Sequence, residues 1–359
     1  MDITDSVGVL QHINLGRDYR GGERQTEILI RGLSDYLPQQ QLIARRGTPL
    51  HARLENTVGI EVIPVDGRRE ALAMTAGAAL LHAHETKAAQ VSFLRHLLSG
   101  TPYLITRRVD NRPRSDPFTR LMYRRAGKVV VISKIIREIL VKTEPLVSTQ
   151  RIPDAVSNLP SDVAWACRFR KTLEGKFIVG QVAALDDSHK GQLTVLKAAR
   201  SLAESYPDIH FVLVGSGCDE TRIRDAGKDL DNLSFTGWVD NVGDYLAAFD
   251  LFILPSLKEG LGSILLDAMQ FGLPIVASEV GGIPDIIKDS ENGSLVSPGD
   301  SGALLDAIVC LYKDEKKRNA MSAVALKRAE CFRPELMVER YWQLYKKILP
   351  SFSEIEVSA

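Results

Sequence analysis

Long apolar runs are missing from this 359-residue chain, and none approaches the ~18 residues of a membrane span. A soluble protein is expected. Cysteine is scarce: Cys167, Cys218, Cys310 and Cys331 stand at no metal-ligand spacing, which excludes a disulfide scaffold or zinc module and suits reduced thiols in a cytosolic protein. The stretch MDITDSVGVL carries acids where a secretory signal carries basic residues, so export by that route is not expected. There is no short-period repeat and no low-complexity tract. GVLQHINLG lacks the GxGxxG turn after a first strand and GSGCDE has the wrong spacing for it, which disfavours a nicotinamide dehydrogenase. No Asp-x-Asp metal motif stands in a loop suited to a site, and metal independence is expected.

Net charge is also missing, since 45 Lys and Arg balance 45 Asp and Glu. The balance hides an asymmetry: residues 1–160 hold 23 basic and 16 acidic side chains, leaving 22 and 29 for residues 161–359. Basic density peaks in TRRVDNRPRSDPFTRLMYRRAGK. Anionic lipid headgroups or a phosphorylated acceptor would suit that run, as would plain solvation of a charged face. Without interleaved aromatics, and with no nucleic-acid module matched, it gives no reason to expect nucleic acid as a partner.

The composition that is present, 45% apolar and 25% charged, belongs to a folded protein, and 359 residues exceed what one core sustains. Apolar β-rich runs alternate with longer helical patterns, which predicts an α/β protein with parallel sheets buried on both faces. In the first half strands are read at VGVLQHINL, QLIARR, IEVIPV, ALLHAH, PYLITRR and KVVVIS. A second series follows at KFIVGQVAAL, IHFVLVGSG, LSFTGWV, LFILPS, PIVASE and GSLVSPG. Between them RIPDAVSNLPSD, with two prolines and several turn formers, reads as the linker. The expected division is residues 1–155, residues 156–335, and a last amphipathic helix in 336–359 that crosses back to the first domain. In such sheets ligands bind outside the carboxyl ends of the strands.

The chemistry concentrates in the loop after LFILPS. There Glu259 sits in the glycine turn KEGLG, and Asp267 stands inside the apolar stretch SILLDAMQF. Glycines at 260 and 262 let backbone amides approach a ligand, and free amides at a helix start attract phosphate. Glu259 is better suited to neutral hydroxyls than to phosphate. Asp267 needs donors where it lies, and ribose hydroxyls would serve, as would a local Arg or Lys. Lys190 in DSHKGQ reads as a cation opening a helix, where cations are disfavoured, which argues for a role. Gly21 and Gly22 in DYRGGERQ precede a helix and offer the same backbone logic. His82, His84 and Glu85 end the strand ALLHAH at the edge where a site would lie, or are satisfied structural groups.

The stretch PSLKEGLGSILLDAMQFGLPIVASEVGGIPDII resembles, nearly position for position, the donor-site signature of retaining glycosyltransferases of the GT-B fold, family 4. The resemblance continues through GQVAALDDSHKGQLTVLKAA, FVLVGSGCDE with Gly215, and LSFTGWVDNVGDYLAAFDLFILPS. It is looser in the first half, through RGGERQ, LLHAHE and KVVVISKIIREIL. It implies two Rossmann-like domains facing each other across a cleft. It also implies Glu259 on the donor sugar, Asp267 on the ribose, the amides of Gly260, Leu261 and Gly262 near sugar and diphosphate, and Lys190 with the Gly21–Gly22 loop on the diphosphate. Three positions depart from the pattern: the second acid is Asp267 where glutamate is usual, Ala184 replaces an arginine, and Arg108 stands where many relatives carry a histidine.

The activity so implied is transfer of a sugar from a nucleotide diphosphate, UDP-linked, to a glycan or lipid-linked acceptor with retention of configuration. Lys190, Glu259, His84 and Arg108 are the expected catalytic groups, and no cofactor beyond the sugar nucleotide is expected. The setting implied is cytoplasmic, at the inner face of the membrane, in lipopolysaccharide or other envelope glycan synthesis, with peripheral contact of the basic half to anionic lipid. Two alternatives stand beside it: a sugar-nucleotide-binding protein without turnover, and an epimerase of the same fold.

Overall fold

A computed structural model describes residues 8–354, so Val7 of the first expected strand and the residues after Glu354 lie outside it. The chain divides into two compact units, Met1–Ser157 with Arg333–Ala359, and Asn158–Phe332.

The first unit holds a seven-stranded sheet of β1 (Leu10–Asn14), β2 (Gln40–Arg45), β3 (Ile60–Val65), β4 (Leu80–Ala83), β5 (Tyr103–Arg107), β6 (Lys128–Val131) and β7 (Thr149–Arg151). Their order is β3-β2-β1-β4-β5-β6-β7, and every pairing is parallel. Helices connect the strands, as parallel pairing requires. Strands β1, β4 and β5 are buried along their whole length, and with their apolar residues they bury Gln11, His12, Asn14, His82 and Arg107. The order reverses direction between β1 and β4, and the loops leaving those two strands diverge there.

The second unit holds β8 (Phe177–Val182), β9 (Ile209–Val214), β10 (Leu233–Gly237), β11 (Leu251–Leu254), β12 (Ile275–Ser278) and β13 (Ser294–Val296), in the order β10-β9-β8-β11-β12-β13, again all parallel. Here the switch falls between β8 and β11. Val179, Phe211, Leu213, Leu251, Ile253 and Val276 from the sheet pack with the helix Gln192–Leu202 and the helix Ser301–Lys313 in one core.

The last long helix, Pro334–Ile348, packs in the first unit, where Tyr341, Trp342 and Tyr345 join Leu10, Leu80, Leu104 and Val130. It lies against the helix Gly21–Gly32 so closely that a Cβ on Gly32 would stand 2.5 Å from Val338 Cγ2. Cys167, Cys218, Cys310 and Cys331 are all exposed free thiols. No helix among the described residues is long and apolar enough to cross a membrane.

Candidate functional site

In the second unit the loops after β8 and β11, the two strands at the switch point, meet. Lys190 ends the short helix Asp187–Lys190 that follows β8, and its Nζ donates to Glu259 Oε2 at 2.5 Å. Ser256, fully buried, donates its hydroxyl to the same oxygen at 3.3 Å. The backbone makes this meeting rigid: His189 O accepts from the amides of Leu257 (2.8 Å) and Lys258 (3.2 Å), and Gln181 Nε2 donates to Lys190 O at 3.0 Å. Gly191 adopts a left-handed φ of 67°, and a Cβ there would stand 2.1 Å from Pro255 O. A third loop, after β12, closes the arrangement. The Gly282 amide donates to Glu259 O at 3.1 Å, and Gly281, at φ +60°, leaves room for that carbonyl where a Cβ would sit 1.7 Å away.

The pair is neither fully exposed nor sealed, with side-chain exposures of 25% for Lys190 and 13% for Glu259. A partly desolvated ammonium acts on an anion with less screening than a surface lysine would. Glu259 offers acceptor lone pairs beyond the one Lys190 uses, and these suit hydroxyl donors. Gly262, at φ +82°, turns the chain into the helix Ile264–Gln270. The amides of Gly260, Leu261 and Gly262 donate to no protein acceptor among the described residues. Asp267 lies in the first turn of that helix and is only 4% exposed.

Lys190 closes the one-turn helix Asp187–Lys190 and, across the N-cap Gly191, stands just before the longer helix Gln192–Leu202, the end where a cation is disfavoured, as expected. Gly215, at φ +133°, stands where a Cβ would meet Ala183 O at 2.1 Å, so its glycine is needed to bring the end of β9 against the chain leaving β8.

In the first unit Gly21 and Gly22 are the first residues of the helix Gly21–Gly32 instead of a loop before it, and Gly22 has an ordinary φ. The nearest atom to a Cβ on Gly22 would be Arg108 Cδ, at 3.6 Å. Arg108, just past β5, donates from Nε to Asp154 at 3.2 Å and from Nη1 to His84 O at 3.5 Å. Glu85 caps the helix Thr86–Ser99 through the amides of Lys87 and Ala88, which gives it a structural task. His82 is likewise satisfied, by Tyr345 OH at Nδ1 and Thr106 Oγ1 at Nε2, each 2.7 Å away.

His84 differs. Gln40 donates its amide to Ile30 O, which leaves its oxygen to accept from His12 Nε2–H at 3.2 Å. His12 Nδ1 then carries a lone pair and must accept from His84 Nε2–H at 3.0 Å. The chain of bonds leaves His84 Nδ1 as a buried acceptor, and among the described residues it has no partner; Arg108 Nη2 is a buried donor in the same condition. Burial holds His12 down to about 3 and keeps His82 and His84 well below the ordinary histidine range, with Arg108 nearby adding to the effect on the last two. All three are neutral at physiological pH. Burial also raises Asp154, against the pull of Arg108. One ring nitrogen from each of the three histidines lies within 4.8 Å of the others, a spacing a metal ion could use, but both nitrogens of His12 and of His82 are already hydrogen-bonded.

The sequence reading named neither His12 nor Asp154. Position 12 had a signal, since it pairs in register with His82 on the neighbouring strand. Asp154 lay in the segment read as linker, where nothing marks a partner 46 positions from Arg108.

Comparison with known proteins bears on family and fold. Residues 176–314 match the family described as Glycosyl transferases group 1. Among named relatives, phosphatidyl-myo-inositol mannosyltransferase of Mycobacterium leprae is 29% identical over 177 residues, 48% of this chain and 47% of that protein. N-acetyl-alpha-D-glucosaminyl L-malate synthase of Bacillus anthracis is 37% identical over 146 residues, 40% and 38% of the two chains. The matched stretch thus spans less than half of those relatives. In three dimensions the chain is similar to HepE of Anabaena, solved with UDP and glucose, at a TM-score of 0.83 with 18% identity over 95% of this chain and 100% of that one. The fold is therefore that of GT-B glycosyltransferases, two parallel-sheet α/β units in one chain.

Proposed function

We propose that the protein is a retaining glycosyltransferase that moves a sugar from a nucleotide diphosphate, UDP-linked, to a hydroxyl of a glycan or lipid-linked acceptor. The observation that carries the reading is the Lys190–Glu259 pair at the β8–β11 switch point, inside the segment that matches the family. Lys190 would stabilise the leaving diphosphate, and a diphosphate would compete with Glu259 for it. Glu259, released or shared, would accept hydroxyls of the donor sugar, Asp267 those of the ribose, and the amides of Gly260, Leu261 and Gly262 would take sugar and phosphate oxygens. In the first unit the Gly21–Gly22 amides, His84 and Arg108 are assigned to ligand contact. Because His84 is held neutral, it would act as a hydrogen-bond acceptor more than as a proton store.

No protein nucleophile is assigned, and retention is ascribed to attack on the face the diphosphate leaves, within a short-lived ion pair. With Lys190 supplying the cation, no metal or cofactor is required in this account. A role in lipopolysaccharide or other envelope glycan synthesis, at the inner face of the cytoplasmic membrane, is supported by likeness to a lipopolysaccharide core glycosyltransferase, LpsE of Rhizobium meliloti, 29% identical over 136 residues. Support for a UDP-linked donor comes from HepE, which has been solved with UDP-glucose.

The test is a panel of nucleotide sugars incubated with envelope extracts and read by mass spectrometry of the products. Transfer supports the reading. UDP binding by calorimetry with no transfer to any acceptor would favour a non-catalytic sugar-nucleotide-binding protein, a rival motivated by Ala184, Asp267 and the tying of Arg108 to Asp154. Donor interconversion without acceptor would instead identify an epimerase.

A further inference from the structure

His84 and Arg108 stand just past the ends of β4 and β5, at the sheet edge where ligands bind in open α/β folds. The two residues touch, since Arg108 Nη1 donates to His84 O at 3.5 Å. Each keeps one buried polar atom without a partner among the described residues: His84 Nδ1, an acceptor, and Arg108 Nη2, a donor. Unpaired buried polar atoms are destabilising, so an acceptor and a donor on touching residues point to one group that serves both.

Their roles are set from behind. Gln40 Nε2 donates to Ile30 O at 3.1 Å, and because a backbone carbonyl only accepts, the Gln40 amide has one orientation. Gln40, His12 and His84 are all buried, so each ring's tautomer follows from the group before it. Without the Gln40 oxygen, His12 would turn to its other tautomer, donate from Nδ1 to His84 Nε2, and drive the His84 proton onto Nδ1. On the other side Asp154, itself buried, holds Arg108 Nε at 3.2 Å and balances its charge.

A hydroxyl matches what remains, its oxygen accepting from Arg108 Nη2 and its proton donated to His84 Nδ1. A carboxylate or sulfate oxygen has no proton to give and would face the nitrogen lone pair, while the guanidinium charge is already met by Asp154.

We propose that Gln40 and His12 are positioning residues that hold His84 Nδ1 as an acceptor, and that His84 and Arg108 together take one neutral hydroxyl of a sugar in preference to an anion. The source of that hydroxyl, donor sugar or acceptor glycan, rests on the glycosyl-transfer reading; the tautomer does not. The experiment is NMR of the full chain carrying nitrogen-labelled histidine, which reads the ring nitrogen that holds each proton. His84 is assigned by its absence from His84→Gln. Wild type and Gln40→Met are each titrated with methyl glucoside, UDP-glucose, UDP and inorganic sulfate, and circular dichroism with the melting temperature checks that the variants fold.

In wild type the His84 proton should sit on Nε2. Methyl glucoside should shift the Nδ1 signal if the hydroxyl is the acceptor's, and UDP-glucose but not UDP should shift it if the hydroxyl is the donor's; sulfate should leave it in place. Gln40→Met should move the proton to Nδ1 and weaken the response to the sugar by about tenfold. A wild-type proton on Nδ1, a sulfate shift as large as the sugar's, or an unchanged tautomer in folded Gln40→Met would overturn the proposal. So would silence toward both sugar probes, which would assign the two atoms to a buried water. A response to methyl glucoside with no UDP binding in calorimetry would uphold the site and contradict the glycosyl-transfer reading alone.

Discussion

Lys190 Nζ and Glu259 Oε2 lie 2.5 Å apart although 69 positions separate the two residues in sequence. Parallel strands β8 and β11 are neighbours in the sheet, so the loops leaving their carboxyl ends converge, and those loops carry the lysine and the glutamate. The pairing is thus a product of topology, and it sets one cation and one acceptor side by side.

If Lys190 is the group that stabilises the departing diphosphate, its charge matters more than its packing. Lys190→Ala should lower kcat/KM for the donor by about a hundredfold to a thousandfold, the range for losing one electrostatic stabiliser. Lys190→Arg should recover part of it. Because the cation is a side chain, incubation with a chelator should leave turnover unchanged; loss of activity on chelation, restored by a divalent ion, would contradict this.

Gly281 tests the scaffold beneath Glu259. An alanine there would carry a Cβ into the Glu259 carbonyl at a left-handed φ of 60°. Gly281→Ala should therefore destabilise the fold by about 2 kcal/mol or more and reduce donor affinity together with it, as read by thermal denaturation and calorimetry. An unshifted melting temperature would show that the loop after β12 does not hold Glu259 in place.

Asp267 separates a ligand role from a structural one. Asp267→Glu should keep or tighten UDP affinity in calorimetry, since the longer acid restores the usual member of the pair. A large loss of affinity would make Asp267 a structural residue. Asp267→Ala should cost about 1–3 kcal/mol of stability in addition, because the acid is buried and its partners would be left unsatisfied.

The buried histidines predict a pH dependence of stability. His12, His82 and His84 titrate far lower in the folded protein than in the unfolded chain, so below the ordinary histidine range the unfolded state binds the extra protons. Stability is full above that range and falls as pH drops through it, by about 1.4 kcal/mol per pH unit for each histidine. Asp154 and Glu85, raised by burial, act in the opposite direction at lower pH, so the effect is read between roughly pH 6.5 and 5.5. The melting temperature should fall across that window, and His12→Gln should flatten the slope; a flat wild-type profile would contradict the buried neutral cluster.

Twelve of the strands were legible because apolar runs bounded by turn residues are a local signal. Strand β7, Thr149–Arg151, was not, since its three polar residues are half-exposed at the sheet edge and carry no pattern. At the site, Glu259 was visible through its glycine turn, but its partner loop at Gly281–Gly282 was not, because a carbonyl's need for space leaves no mark on hydropathy. His12 shows the same limit from another side: a single histidine inside a buried strand gains meaning only when the register sets it beside His82. Lys190 was legible through its place before a helix start, where the helix Gln192–Leu202 begins, while the ion pair that now supports it depends on strand order and was not.

The most direct test compares wild type with Glu259→Ala in product mass spectrometry, once a donor and acceptor have been found, with circular dichroism confirming the fold of the variant. The account predicts sugar transfer by wild type and none detectable from Glu259→Ala. Turnover by Glu259→Ala equal to wild type would contradict it.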